Sequence, residues 1–261
     1  MNCRICNKKS RLWGHGDILD KHSIAYFVCD HCDFLQTEEP YWLKEAYSEA
    51  IATTDVGLVQ RNLTAAGISR AMIHSFFDSD GRFVDYGGGY GLFVRLMRDR
   101  GFDFFRHDPK CENLFARCFE ADPEGNDRFE LVTAFEVFEH LAYPIPEIER
   151  MLQFSDSILF STLLISEPPK KPGDWWYFSP ETGQHVSFYS LRSLRHLAEH
   201  FGLHLYTDHR QLHLLTARKV SQPIFRCLAR SRIAKVYGRL HERKPLTEQD
   251  YRRAVEKVGR E

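Results

Sequence analysis

The sequence predicts an α/β fold on a doubly wound, mainly parallel sheet, preceded by a small metal-bound ribbon and followed by a helical extension. Three observations predict it. The run Phe83-Val84-Asp85-Tyr86-Gly87-Gly88-Gly89-Tyr90-Gly91 is an apolar stretch leading into an acid and then four glycines within five positions. It reads as a buried strand, a tight turn and a helix start, the α/β way of building a site at a sheet edge. From about Arg82 onward, strand-like and helix-like segments alternate, which argues for a parallel sheet. At the N-terminus, Cys3-x2-Cys6 and Cys29-x2-Cys32 are separated by 22 residues.

Taken in order, residues 1–40 form the metal module. Two C-x-x-C turns each present two sulfurs toward one ion, so Cys3, Cys6, Cys29 and Cys32 can close a tetrahedral thiolate site for structural zinc. A redox dithiol lacks its usual strand-helix context here, and an iron-sulfur cluster is the other alternative. Gly14, Gly16 and Asp17 suit a hairpin or loop between the pairs, while Cys111, Cys118 and Cys227 follow no metal spacing and read as buried thiols. Residues 41–80 form a connector, mainly helical over Trp42–Phe77, with Ala46-Tyr47 and Val56–Asn62 capping the cofactor pocket. The α/β domain, 81–218, has strands at 83–86, 103–108 and 130–135, a short one near 118–120, and a further strand at 157–165. Its helices are 91–101, where Leu92, Phe93, Leu96 and Met97 make an apolar stripe, and 145–153. A Pro- and aromatic-rich loop, Glu167–Gln184, precedes a helix capped by Ser190 and stopped by Gly202, then a closing hairpin of Leu203–Asp208 and Leu212–Arg218. Residues 219–261 read as a basic amphipathic helical extension. From Arg218 to the end there are 13 Lys/Arg against 5 Asp/Glu, in a chain whose net charge is −1.

At 261 residues, with 43% hydrophobic and 27% charged content, the composition is that of a globular protein with ample core. Met1-Asn2-Cys3-Arg4-Ile5-Cys6 has no apolar signal region, and the longest apolar stretch, Ile158–Ile165, is too short to span a bilayer. A cytoplasmic location with reduced cysteines is expected.

The glycine turn has the spacing G-x-G-x-G, with Asp85 two residues before its first glycine. An acid there repels a pyrophosphate and suits a cationic amino-acid moiety, which argues against a nicotinamide dehydrogenase. About 20 residues on, Phe102–Pro109 reads as a second strand ending in Asp108, where such folds grip ribose hydroxyls. Downstream lies Phe129-Glu130-Leu131-Val132-Thr133-Ala134-Phe135-Glu136-Val137-Phe138-Glu139-His140-Leu141. In this order the three segments resemble class I S-adenosylmethionine (SAM) methyltransferases, whose fold is Rossmann-like. The resemblance implies SAM as cofactor, with Asp85, Gly87, Gly88, Gly89 and Gly91 at its methionine end and Asp108 on its ribose. Ala134 and Phe135, in the fourth-strand motif, join the cofactor set. The ribbon end, Cys32-Asp33-Phe34-Leu35-Gln36-Thr37, is similar to a zinc-binding methyltransferase subfamily that includes deoxysugar C-methyltransferases. That likeness runs loosely to about Phe201 and implies a sugar or glycan-linked acceptor in carbohydrate biosynthesis.

Methyl transfer needs an aligned acceptor and, at a hydroxyl, a base. His185 lies in Glu181-Thr182-Gly183-Gln184-His185-Val186-Ser187-Phe188-Tyr189-Ser190, which resembles the subfamily's H-V-x-x-F/Y-S element beside the acceptor. It is the first candidate base, since an imidazole titrates near neutral pH, with His140 or Tyr177 assisting. Glu136, Glu139, His140 and His185 together offer a second, catalytic divalent-cation site, as a similar constellation does in small-RNA 2′-O-methyltransferases and some quinone O-methyltransferases. Trp175–Pro180 is the expected acceptor platform. Gly183-Gln184-His185 departs from the E-H-x-H-E/Y element of the sugar C-methyltransferases, which moves the expectation to oxygen. RNA and quinone-type acceptors stay open, as does a non-catalytic SAM or zinc scaffold, and the oligomeric state is not legible.

Overall fold

The computed structural model describes residues 1–47, 54–122, 127–166 and 168–258. Strands β1 (Ser10–Ile18) and β2 (His22–Cys29) make an antiparallel hairpin, joined through Leu19 and Asp20, both at positive φ. Gly14, Gly16 and Asp17 therefore lie within β1 and not in a turn; the register shifts beside Gly14. Strand β3 (Leu35–Thr37) follows, then helix α1 (Leu43–Ala46) and helix α2 (Leu58–Phe76). The mainly helical segment expected over Trp42–Phe77 carries these two helices, and residues 48–53 lie outside the described residues. Next come β4 (Arg82–Tyr86), α3 (Leu92–Arg98) and β5 (Asp103–His107). Helix α3 stops short of the expected residue 101, because the chain turns through Gly101 at φ 84°.

No strand forms at 118–120; Glu120 makes only an isolated parallel bridge to Arg106. Strand β6 (Leu131–Ala134) leads to helix α4 (Pro144–Phe154) and strand β7 (Ser157–Ser161). β7 ends earlier than the expected residue 165. Beyond it Leu163 N donates to the Tyr177 hydroxyl and Ile165 N to the Tyr189 carbonyl, so these groups bond to loops rather than extend a ladder. Strand β8 (Ser187–Phe188), helix α5 (Leu191–His200) and the antiparallel pair β9 (His204–Thr207) and β10 (Leu212–Thr216) follow. Ser190 caps α5 in a reciprocal capping box with Ser193, and Gly202 ends it at φ 65°. The extension forms α6 (Gln222–Leu228), α7 (Ser231–Leu240) and α8 (Thr247–Val258); residues 259–261 lie outside the described set.

The chain forms two compact units that interleave along the sequence. One comprises Met1–Ala52, Glu136–Arg150 and Phe160–Arg218. Its sheet has the order β1-β2-β3-β8, so residues 187–188 complete the N-terminal ribbon. Ile24, Tyr26, Val28, Leu35, Trp42, Tyr177, Val186 and Phe188 share one buried core there. The last residues of β7 also belong to this unit, where β7 neighbours β10 and β10 pairs with β9.

The second unit comprises Thr53–Phe135, Met151–Leu159 and Lys219–Glu261. Its strands run β5-β4-β6-β7, with β4 parallel to both β5 and β6. All of β6 and four of the five residues of β4 are buried, as expected for a parallel strand covered on both faces. Helix α8 is tied to this unit by Asp250, buried against the guanidinium of Arg98 at 2.6 and 2.9 Å, while Arg98 also reaches Asp103. Among the described residues no helix is long and apolar enough to cross a membrane.

Candidate active site and metal centre

The two cysteine knuckles fold alike. Asn7 N donates to Cys3 O and Asp33 N to Cys29 O, and both Asn7 and Asp33 have φ 57°. Short polar side chains tolerate that left-handed conformation. The turns bring Cys3, Cys6, Cys29 and Cys32 together, with Sγ–Sγ distances of 3.6 Å for Cys3–Cys32 and 3.4 Å for Cys6–Cys29. A disulfide needs about 2.05 Å. Four thiolates at the ordinary Zn–S distance of about 2.3 Å form a tetrahedron with edges of roughly 3.8 Å, so the cluster can hold a zinc ion with little adjustment. Of the remaining cysteines, Cys111 and Cys118 are half-buried and Cys227 is exposed, so they are not the buried thiols expected.

The glycine loop lies in the second unit. Gly87 N donates to His107 O, and Gly87, Gly89 and Gly91 all have positive φ. Asp85 is buried at the end of β4, and one carboxylate oxygen accepts the Thr133 hydroxyl at 2.6 Å. Burial pushes its pKa up to about 7, against the lowering effect of that hydrogen bond and of Arg106. Asp108 accepts from Gly89 N at 2.9 Å and from Lys110 N and Cys111 N, so its carboxylate holds the loop and its own turn in the cofactor-free protein. Ala134 is buried at the end of β6, and Phe135 packs edge-on against Phe93 at 5.2 Å.

Arg106, which the motif reading omits, is the hub of this loop. Its buried guanidinium donates to the carbonyls of Gly89, Asp108 and Cys111 and to Glu120 at 2.9 Å. The one signal for it in the sequence is a cation inside the apolar run Phe104-Phe105-Arg106-His107. The same packing makes the glycines unequal. A Cβ on Gly91 would lie 2.6 Å from Asn113 Oδ1, whereas one on Gly89 would meet nothing within 4 Å. Both Ala substitutions carry the strain of positive φ, about 1–2 kcal/mol. Gly91→Ala is therefore expected to cost about 2 kcal/mol or more, and Gly89→Ala about 1 kcal/mol, in urea unfolding. Equal losses would mean that the Asn113 contact does not matter.

The remaining candidates lie in the first unit. Glu139, His140 and His185 each offer a ligand atom, all within 4.8 Å of one another. A one-turn helix, Phe138–His140, carries the first two, fixed by Phe138 stacking on Phe160 at 3.7 Å. Val186 N donates to the Glu139 carbonyl, which brings His185 alongside. Among the described residues neither Glu139 carboxylate oxygen has a hydrogen-bond partner of ordinary geometry, and the side chain is fully buried. Burial, with a contribution from the Glu136 charge, pushes its pKa up to about 8. His185 Nδ1 lies 2.6 Å from the Tyr177 carbonyl and His140 Nδ1 3.2 Å from the Gln184 carbonyl. A carbonyl only accepts, so His185 Nδ1 carries the proton and its Nε2 the lone pair, whereas His140 Nδ1 also faces the Tyr47 hydroxyl, which can donate to it.

Several expectations change. Desolvation lowers the His185 pKa to about 4, so it does not titrate near neutrality and is a weak proton acceptor. Tyr177 is buried, its hydroxyl 3.1 Å from both Thr162 Oγ1 and Leu163 N, with a pKa raised by burial; these contacts pin the loop. Glu136 stands apart from the cluster: it is exposed, at φ 55°, with its carboxylate on the Ser161 hydroxyl at 2.7 Å. Tyr47, not singled out as a site residue, places its hydroxyl 3.0 Å from His140 Nδ1. Trp175 packs on Tyr177 and Phe178, while Trp176 is 74% exposed.

A parallel sheet, a glycine turn after its first strand and an acid ending the next define an α/β protein of the nucleoside-cofactor class. The model of a methyltransferase-domain family matches residues 59–207, from α2 through β9. The chain belongs to that family and carries its methyltransferase domain. The ribbon and the C-terminal helices lie outside the matched stretch. A comparison with curated protein sequences finds no match. Similar solved structures include TnmH, at 18% identity over 68% of this chain and 61% of that one, with a TM-score of 0.47. Others are the plantazolicin methyltransferase BpumL in complex with SAH (11%, 67% and 90%, TM-score 0.46) and human N-acetylserotonin methyltransferase in complex with SAM (12%, 69% and 67%, TM-score 0.43). The chain thus spans 61% of the length of TnmH.

Proposed function

We propose that this methyltransferase methylates an oxygen of a sugar or glycan-linked acceptor, and that Glu139, His140 and His185 hold a divalent cation for that reaction. The observation that carries the proposal is the buried Glu139 carboxyl group, which has no hydrogen-bond partner of ordinary geometry among the described residues and lies beside the His140 and His185 imidazoles, the latter with its Nε2 lone pair available. An unpaired buried carboxylate is costly, and a cation offsets that cost. When bound, the ion supplies Lewis acidity that lowers the pKa of an acceptor hydroxyl. The chain's own part is to orient the two imidazoles through the Tyr177 and Gln184 carbonyls and, by burial, to keep His185 neutral. A metal-free reading with His185 as base is less favoured, because its lowered pKa makes it a poor proton acceptor at neutral pH. The exposed Trp176 beside Trp175 supports a sugar, whose apolar face stacks on such rings.

On the cofactor side, Asp85, Gly87, Gly88, Gly89 and Gly91 hold the methionine end and Asp108 the ribose, with Ala134 and Phe135 beside them. When bound, SAM supplies a methyl group on a sulfonium. The open space at Gly89 and the buried Asp85 carboxyl fit a cationic ligand. Asp85 binds a cation as the carboxylate, and in the free protein it protonates as pH falls through about 7. SAM affinity is therefore expected to weaken below that pH, approaching about tenfold per unit, and Asp85→Asn to remove the dependence. Titration calorimetry across this range checks it, and a flat profile in the parent protein contradicts it.

The acceptor is tested by mass spectrometry of cell extract supplied with methyl-labelled SAM. Label in an O-methylated sugar is the expected result. Label in RNA, or transfer to carbon, overturns the acceptor assignment.

A further inference from the structure

We infer that α6 and α7 form a docking face for an anionic lipid bilayer surface. From Arg218 to His241 the chain has seven Lys/Arg and no Asp/Glu. Folding sorts this stretch by burial. Phe225 and Leu228 of α6 and Ala234 and Gly238 of α7 face inward, and α7 packs on α2, with Gly238 against the Arg70 guanidinium. The outward side carries Arg226, Arg230, Arg232, Lys235 and Arg239, all exposed and none in an ion pair among the described residues.

On α7, Arg232, Lys235 and Arg239 fall at i, i+3 and i+7 and make one stripe. Beside it Val236 and Leu240, at i and i+4, are 60% and 77% exposed, and Ile224 on α6 is 49% exposed. A helical surface of cations flanked by bare aliphatic side chains matches a bilayer interface, where lipid phosphates take the cations and the aliphatics enter the acyl boundary. The alternatives fit less well. Nucleic acid would use the cations but has no role for exposed aliphatics, and the one aromatic of α7, Tyr237, is turned to Ser75 and His241. A second copy of the chain would set this unbroken basic run against itself.

The full chain is tested by cosedimentation with vesicles of phosphatidylcholine alone and of phosphatidylcholine with about 30 mol% phosphatidylglycerol. The expected result is binding to the anionic vesicles, at least about tenfold tighter than to the neutral ones. Arg232→Glu, Lys235→Glu and Arg239→Glu together are expected to abolish it. Val236→Ser with Leu240→Ser, which leaves every charge in place, is expected to weaken it several-fold. Circular dichroism and unchanged SAM affinity establish that each variant is folded. Absent or equal binding to the two vesicle types overturns the inference. So does full binding by the serine variant together with tight, salt-sensitive binding of the parent to a nucleic-acid duplex, which assigns the face to phosphate alone.

Discussion

Glu139→Gln is expected to lower methyl transfer roughly 100-fold or more while removing one divalent ion per chain and leaving the ribbon's zinc in place. Its effect on stability should have the opposite sign. In the metal-free protein the carboxyl has a pKa raised by burial from the ordinary 4.5 to about 8. A raised carboxyl favours the fold at pH values below its unfolded pKa, and that contribution is lost as pH rises toward 8. A shift of this size corresponds to an order of magnitude of about 3–5 kcal/mol. The amide carries no such penalty, so the variant should be more resistant to denaturant than the metal-free parent at high pH and similar to it in acid. Asp85 adds a slope of the same sign to both proteins, so the difference between them isolates Glu139. Metal analysis and urea unfolding measure both halves. Parent-level turnover with unchanged metal content would falsify the cation site.

Cys29→Ser is expected to abolish methyl transfer while keeping SAM affinity within about threefold, although no ribbon cysteine touches a reacting atom. Structural zinc is worth on the order of 10 kcal/mol in small modules, far more than the burial in one short hairpin can replace. Loss of the ion should melt β1 and β2. The core they share contains Tyr177, Val186 and Phe188, so the loop that orients His185 loses its support. The glycine loop, Asp85 and Arg106 belong to the other compact unit, so the cofactor site should persist. Amide exchange that stays protected in β1 and β2 of the zinc-stripped protein is the result that would sink this account.

The features that were readable before folding are those written contiguously. The glycine turn, the C-x-x-C pairs, the Ser190 cap and the Gly202 stop each need only near neighbours to act, so residue type and spacing reveal them. Strand β7 reads too long in the sequence because Leu163 and Ile165 bond to Tyr177 and Tyr189, partners beyond the reach of local pattern. Gly14, Gly16 and Asp17 do fall in a hairpin, but in its first strand: Leu19 and Asp20 close the turn in a conformation that spacing does not foretell.

The sequence by itself determined the α/β class, the four-cysteine cluster and the glycine turn, because chemistry at those places is set by adjacent residues. Tertiary structure alone decided how the site residues behave. It made Arg106 the clamp of the glycine loop, separated Glu136 from Glu139 and left Glu139 unpaired beside two imidazoles. It also buried His185, which lowers its pKa to about 4, and set its Nδ1 on the Tyr177 carbonyl. The physical reason is that burial and hydrogen-bond partnership, which set charge and tautomer, come from residues distant in the chain.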